Sequence, residues 1–454
     1  MASPPSLRDR FLRSLSWALG GNLSAQLLRF VGNLVMTRLL VPADFGLMAI
    51  VMVLITGVTL FSDLGAGQFV IYSKRGTDTV FRQTAWTMQV VRGFYIWGAT
   101  ALLGVGVYFA GQLGAFPKDS TYNDPRLPWV VGVFAAQMAI LGFMSSKQWL
   151  QQRDLAMHKI MMVRVGSQFL GLIVMFAWGY FFRDIWALVL AGLLSTLAQV
   201  VASHKLLPGE PDAFRWDKGA LAELLGFGRW VLLSSIIGFL ATNGDRMLLG
   251  GMEDAHSLGI YSIAFLLLSP IQGIFSSLVG SVIFPALSEV NRDNPSRLPE
   301  IYIKFQRMTD LALGSAAGVL ATGGPAAVKL LYDDRYVASG QMLSVLALTL
   351  VGMRTQVYEQ VFMARGHSKL TSMANLLRLI GLFVLVPLLH HLGGLPWAVW
   401  GVAASPFVAW PLVYVLRHRD GVPMLRSDAW MPPAFVGGAG LGMAFTWALA
   451  HWNP

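Results

Sequence analysis

The sequence predicts an all-α, polytopic membrane protein made of two six-helix lobes. Three observations carry that expectation. Apolar stretches recur along the whole chain, Lys and Arg collect on alternate connections, and a turn with Arg followed by Leu-Leu returns half a chain later.

Hydrophobic residues make up 55% of the chain and charged residues only 13%, about half the charged share of a soluble domain. A helix needs roughly 20 apolar residues to cross the hydrocarbon core. Runs of that length fit helices at 14–40, 45–72, 80–112, 128–150, 157–181, 185–206, 222–250, 257–288, 304–331, 338–363, 370–391 and 395–416, with a thirteenth at 432–452. They are continuous, unlike the short alternating segments of a transmembrane β-barrel. The start, "MASPPSLRDRFLRSLSW", is basic and leads into a run longer than the ~7–15-residue core of a signal peptide. It reads as a retained first helix with a cytoplasmic N-terminus.

In that orientation 24 of the 34 Lys and Arg fall on inner connections and 7 on outer ones. The other three, Arg29, Arg92 and Arg354, lie within spans. This is the positive-inside asymmetry of a membrane protein. It accounts for the net charge of +10 without nucleic acid as a partner. No connection approaches the ~50 residues of a soluble domain, so function is expected inside the helical body. The expected organisation is a lobe at 1–206, an inner linker at 207–221, a second lobe at 222–417 and an extension at 418–454 with one more helix.

Enzyme chemistry is not expected. The chain has no Cys, which removes thiolate and disulfide chemistry. It has no phosphate loop, His-Glu-x-x-His or Gly-x-Ser-x-Gly motif. His390 and His391 alone make a poor metal site, so neither metal nor cofactor is expected.

The turn "RLLVPADFG" (Arg38–Gly46) has an echo in "DRMLLGGMEDAHSLGIYSIA" (Asp245–Ala264). Arg38 matches Arg246, and Gly46 matches Gly259. "QQRDLAMHK" (151–159) pairs with "MARGHSK" (363–369), "FLGLIV" (169–174) with "LIGLFV" (379–384), and "DIWALVLAG" (184–192) with "LPWAVWGVA" (395–403). All these lags fall between 208 and 213 residues. Such a lag holds six helices, an even number, so both halves have the same orientation. Parallel-repeat transporters place substrate between such halves.

"TRLLVPADFGLMAIV" with "FSDLGAGQFVI" resembles the first hairpin of the oligosaccharide and polysaccharide flippases of the multidrug/oligosaccharidyl-lipid/polysaccharide exporter superfamily. "YSIAFLLLSPIQGIFSSLVGSVIFPALSEVNRD" (Tyr261–Asp293) resembles the matching hairpin of their second half, and the likeness runs over about residues 10–420. The resemblance implies two lobes in a V. It implies transfer of undecaprenyl-pyrophosphate-linked oligosaccharide to the outer leaflet of a bacterial inner membrane, for O-antigen, capsule or exopolysaccharide. It also implies work beside a polysaccharide polymerase and chain-length or export proteins, as a monomer. Two alternatives stand: a cation-coupled small-molecule exporter of the same superfamily and, ranked lower, a membrane polysaccharide polymerase.

A cation within the bilayer is expensive, about 2.5–3.5 kcal/mol on insertion scales, and usually faces a partner or a wet cavity. Arg29, Arg92 and Arg354 are therefore expected to line a cationic cavity for a lipid pyrophosphate. Asn22, Gln26 and Asn33 share the helical face of Arg29. Together with Gln89, Gln137, Asn243 and Gln272 they are expected as its polar lining. Asp63, Asp310 and Glu359 are candidates for ion pairing or for coupling, and the alternative to the cavity is an internal pair, such as Arg29 with Asp63, that only locks helices together. Arg38, Asp44 and Arg246 read as an outer gate or scaffold, at helix ends where Arg can snorkel.

The expected orientation is testable. A protease-accessible tag after Met1 should be protected in intact spheroplasts and cut only once the membrane is opened. Cleavage from outside contradicts the inside N-terminus.

Overall fold

The computed structural model describes residues 7–62, 70, 74–154, 156–221, 239–240, 242–420 and 429–451. Among them every regular element is helical. The chain divides into two compact units, Met1–Phe239 and Leu240–Pro454.

The first unit holds α1 (Leu7–Leu39), α2 (Pro42–Phe61), α3 (Thr79–Gln112), α4 (Leu127–Gly142), α5 (Lys147–Arg153), α6 (Met157–Phe182) and α7 (Trp186–Leu206). Local chemistry sets several boundaries. Val41 is extended and Pro42 follows at the first helical position of α2, where its missing N–H costs nothing. Asp78 caps α3 by accepting from the Val80 N–H at 2.9 Å. Helices α4 and α5 meet at a 65° bend, so the segment expected as one straight span at 128–150 is interrupted.

The second unit holds α8 (242–252), α9 (Ala255–Leu278) and α10 (Phe284–Asp293), the last two joined by a π turn at Val279–Ile283. Helix α11 follows at Leu298–Leu331. A segmented run comes next, with α12 (Val337–Leu346), α13 (Leu348–Gly352) and α14 (Gln356–Ala364). Helix α15 (Ser368–Ala404) is broken at Gly393–Gly394, where Gly394 has φ +67°. That left-handed position suits glycine and separates the spans expected at 370–391 and 395–416. Helices α16 (Trp410–Arg419) and α17 (Met431–His451) complete the unit.

Nine helices among the described residues are long and apolar enough to cross a membrane, or ten with α4–α5 taken as one span. Polar residues interrupt α1 and keep it out of that group. The expected span 222–250 lies mostly outside the described residues.

Small residues let the helices approach closely. In the first unit α1 and α6 run parallel: Gly21 faces Met161, Gly32 faces Met175, and Gly179 faces Met36. In the second unit α17 lies against α11. A Cβ on Gly438 would fall 2.2 Å from the Ser315 carbonyl oxygen, and one on Gly442 would fall 2.2 Å from Thr322 Oγ1. Thr322 Oγ1 also donates to the Ala439 carbonyl at 2.9 Å.

The stretch after α7, expected as the inner linker, is packed onto the first unit. Asp212 accepts from the hydroxyls of Ser145, at 2.6 Å, and Ser146. Phe214 lies 5.0 Å from the Trp86 ring. Glu210 accepts from Thr79 Oγ1 at 2.9 Å and from Arg82 Nη2 at 3.1 Å. Those two donors hold its carboxyl below the ordinary glutamate range. A depressed carboxyl stabilises above its unfolded-state pKa and loses that contribution as pH falls through the folded value, so this attachment weakens only in acid.

The α11–α17 seam yields a prediction. Gly438→Ala should lower the melting midpoint of the purified protein through an overpacking cost of about 1–3 kcal/mol. Gly437→Ala, where an added Cβ meets nothing within 4 Å, should leave it near the starting value. Equal melting of the two variants contradicts close packing along this seam.

Candidate functional site

Asn22, Gln26 and Arg29 stand on one stripe of α1 and are all exposed. Arg29 Nη2 donates to Gln26 Oε1 at 2.6 Å. The neighbouring α6 presents Arg164 and Gln168, also one turn apart. Gln168 Nε2 donates to the Ala25 carbonyl at 2.9 Å, and Arg164 Nη1 donates to Asn22 Oδ1 at 3.1 Å. Arg29 and Arg164 are close enough to feel each other's charge. Among the described residues neither guanidinium reaches a carboxylate. Each spends one N–H on a neutral amide oxygen, out of five that a guanidinium offers.

Two like charges repel, and an anion between them relieves the repulsion. Guanidinium forks match phosphate oxygens in a bidentate way. Asn22 and Gln26 are four residues apart, about 6 Å along a helix axis. The two arginines are thus anchored at successive turns, a spacing suited to a group with two anionic centres.

Sequence reasoning reached Arg29, Asn22 and Gln26 but placed Arg164 among the inner-connection cations. The structure sets Arg164 within α6, and the i, i+4 pair Arg164–Gln168 on an apolar helix was the signal for it. Asn33, further along the α1 stripe, is half-buried. Asp63 lies outside the described residues.

The other expected cavity arginines sit elsewhere. Arg92 Nη2 donates to the Thr59 carbonyl at 2.9 Å, and its Nε donates to Ser62 Oγ at 3.3 Å. It serves the C-terminal end of α2, where carbonyls lack helical partners. Gln89 Nε2 donates to the carbonyls of Gly142, at 2.8 Å, and Met144, at 3.1 Å. It closes the end of α4 in the same way. Gln137 is half-buried.

Arg354 belongs to the second unit and is buried. Its Nε and Nη2 meet Asp310 Oδ1 and Oδ2 at 3.0 and 2.5 Å, and Nη1 donates to the Tyr414 hydroxyl at 2.9 Å. Asp310 is fully buried and also accepts from Gln306 Nε2 at 2.7 Å. Glu359 is likewise paired, with Arg378, which donates further to Asn375 Oδ1 and Thr355 Oγ1 at 2.9 Å each. Arg354 therefore differs from the exposed cation expected of a cavity wall. A buried charge without a partner is too costly, and Asp310 answers it. Arg378, expected on an inner connection, stands within α15.

A second cavity, of about 470 Å³, is lined by Asp245, Gln272, Gln356, Asn375 and Arg378 among others. Asp245 is buried and accepts from the Tyr261 hydroxyl. Gln272 Nε2 donates to Thr349 Oγ1 at 3.1 Å. Asn243 is half-buried.

Of the expected gate residues, Asp44 is buried and bonded by Arg126 Nη1 at 2.8 Å. Arg246 lies 3.9 Å over the Phe265 ring, and Arg38 is exposed. His390 Nε2 is 2.8 Å from Glu253 Oε1.

The sequence profile of the polysaccharide biosynthesis protein family matches residues 35–341, and the chain belongs to that family. It is 26% identical over 242 residues to the amylovoran biosynthesis protein AmsL of Erwinia amylovora, covering 52% of this chain and 61% of that one. It is 22% identical over 369 residues to the teichuronic acid biosynthesis protein TuaB of Bacillus subtilis, covering 78% and 72%. It is also 22% identical to the lipopolysaccharide biosynthesis protein WzxC of Escherichia coli, covering 63% and 56%. Among solved structures, the lipid II flippase MurJ in an inward closed conformation aligns with TM-score 0.65 at 12% identity, over 95% of this chain and 98% of that one. An inward-facing multidrug resistance transporter of the MATE family in the MOP superfamily aligns with TM-score 0.60 at 15% identity, over 94% and 96%. The chain has the fold of these transporters.

The Asp310–Arg354 pair yields a prediction. Asp310→Ala leaves a buried guanidinium unpaired and should cost about 3–5 kcal/mol, read as lost accumulation or a lowered melting midpoint. Combining Asp310→Leu with Arg354→Met should recover most of that loss. A double variant no better than Asp310→Ala contradicts the pairing.

Proposed function

We propose that this chain carries undecaprenyl-pyrophosphate-linked oligosaccharide from the cytoplasmic to the outer leaflet of a bacterial inner membrane by alternating access, with its N-terminus in the cytoplasm. The observation that carries this reading is the Arg29–Arg164 pair, which has amide partners and, among the described residues, no carboxylate. A lipid diphosphate supplies the missing anion. Membership of a polysaccharide biosynthesis family and the flippase-type fold support it. In this reading a polysaccharide polymerase and chain-length or export proteins act on the product.

The rival, a cation-coupled small-molecule exporter, calls for carboxylates open to a cationic substrate. Asp310 and Glu359 are instead bound to Arg354 and Arg378, which favours the anionic substrate.

Arg29→Ala and Arg164→Ala should each lower export of lipid-linked glycan about tenfold at unchanged protein level, as loss of a charge-assisted contact of ~1.5–3 kcal/mol implies. Arg29→Lys should retain part of the activity, because it keeps the charge and loses the fork. Cell-surface glycan quantified beside the membrane content of each variant checks this. Normal export from both alanine variants contradicts the assignment.

A further inference from the structure

Helices α8, α9, α14 and α15 of the second unit border the cavity of about 470 Å³ that Asp245, Gln272, Gln356, Asn375 and Arg378 line. Its size falls within the ~300–1,000 Å³ typical of small-molecule sites. Several of its polar groups keep hydrogen-bonding capacity unspent. Asp245 is buried and, among the described residues, accepts only from the Tyr261 hydroxyl, although a carboxylate offers about four acceptor sites. Arg378 directs its terminal nitrogens to Glu359, Asn375 and Thr355. Its Nε is buried and meets no acceptor among the described residues. Asn375 uses its Oδ1 on Arg378, and Gln272 uses its Nε2 on Thr349, which leaves the Asn375 N–H groups and the Gln272 carbonyl oxygen available. Gln356 is half-buried, with no side-chain partner among the described residues.

We propose that this cavity is a saccharide site, which takes one sugar ring of the glycan through its hydroxyls. Donors and acceptors stand together in its lining, and that mixture selects the ligand. A metal cation uses oxygen acceptors alone and has no role for the Arg378 Nε or the Asn375 N–H groups. A phosphate uses donors alone and has no role for the Asp245 and Gln272 oxygens. A hydroxyl both gives and takes a hydrogen bond, so a ring bearing several of them engages both sets. Phe265, Leu268 and Leu382 complete the lining, and their apolar surface suits the C–H edges of such a ring. The site lies within the second unit and is argued apart from the arginine pair. Only the source of the sugar, the glycan on a carrier lipid, rests on the reading above.

The test uses the purified full chain and three probes: the glycan released by mild acid from the cells' own lipid-linked pool, farnesyl diphosphate, and sodium chloride set against choline chloride. Gln356→Met removes an amide at similar volume. Gly273 lines the cavity, and a Cβ added there meets nothing within 4 Å, so Gly273→Leu takes up open space. Each variant should weaken binding of the released glycan about tenfold, as the loss of one or two neutral hydrogen bonds implies, and leave farnesyl diphosphate unchanged. An unchanged melting midpoint without probe shows that a variant is folded. Glycan binding that survives both variants, equal losses for glycan and farnesyl diphosphate, or no glycan binding by the unmodified chain overturns the saccharide site. Stabilisation by sodium that Asp245→Asn abolishes, with no response to the glycan, overturns it in favour of a cation site. Arg29→Ala with Arg164→Ala should weaken farnesyl diphosphate and leave the released glycan unchanged. If farnesyl diphosphate binding ignores the arginines while glycan binding still needs the cavity, the lipid-diphosphate reading fails and the saccharide site stands.

Discussion

A guanidinium keeps its charge in a membrane protein, and the bilayer penalises any charge it cannot answer. The second unit answers with carboxylates: Asp310 holds Arg354 in a two-point bridge, and Glu359 holds Arg378. Their surroundings extend the same logic, since Gln306, Tyr414, Asn375 and Thr355 take up further donors and acceptors. Such pairs fix helices against one another and leave no net charge. The first unit does otherwise at Arg29 and Arg164, which rest on neutral amides. In the proposed reading this contrast, drawn among the described residues, separates scaffold from site: pairs that fix helices cancel charge, and the arginines offered to an anion keep theirs.

The helical body serves that division. Glycine contacts bring α1 against α6 and α11 against α17, so the arginines of α1 and α6 are set by close backbone packing rather than by a loop. The turn "RLLVPADFG" is also held by side chains. Pro42 starts α2, and Asp44 is held by Arg126 from the start of α4. The turn recurs in the second half of the sequence, and Arg29 lies further down the same helix.

Most helices were legible because length and apolarity alone decide whether a segment crosses a bilayer. The break at Gly393–Gly394 was legible too, since two glycines before Leu-Pro interrupt an otherwise continuous run. Partner choice was not legible. Nothing local to Arg354 names Asp310, 44 residues away, and nothing local to Asp44 names Arg126. Arg164 and Arg378 were assigned to inner connections because a count of basic residues near helix ends does not distinguish a cation at the interface from one a few turns inside. Helical spacing does distinguish them once the neighbouring helix is known. Arg164 and Gln168 form a polar pair that faces Asn22 and Ala25.

In the proposed mechanism an arginine pair that meets no carboxylate among the described residues carries an anionic lipid-linked glycan across the membrane. The most direct measurement is transbilayer movement of a fluorescent prenyl-diphosphate-linked sugar in liposomes holding the purified protein. The account expects movement well above that of empty liposomes, falling to their level when Arg29 and Arg164 are both replaced by Ala in a folded protein. Movement at the full rate by that double variant would contradict it.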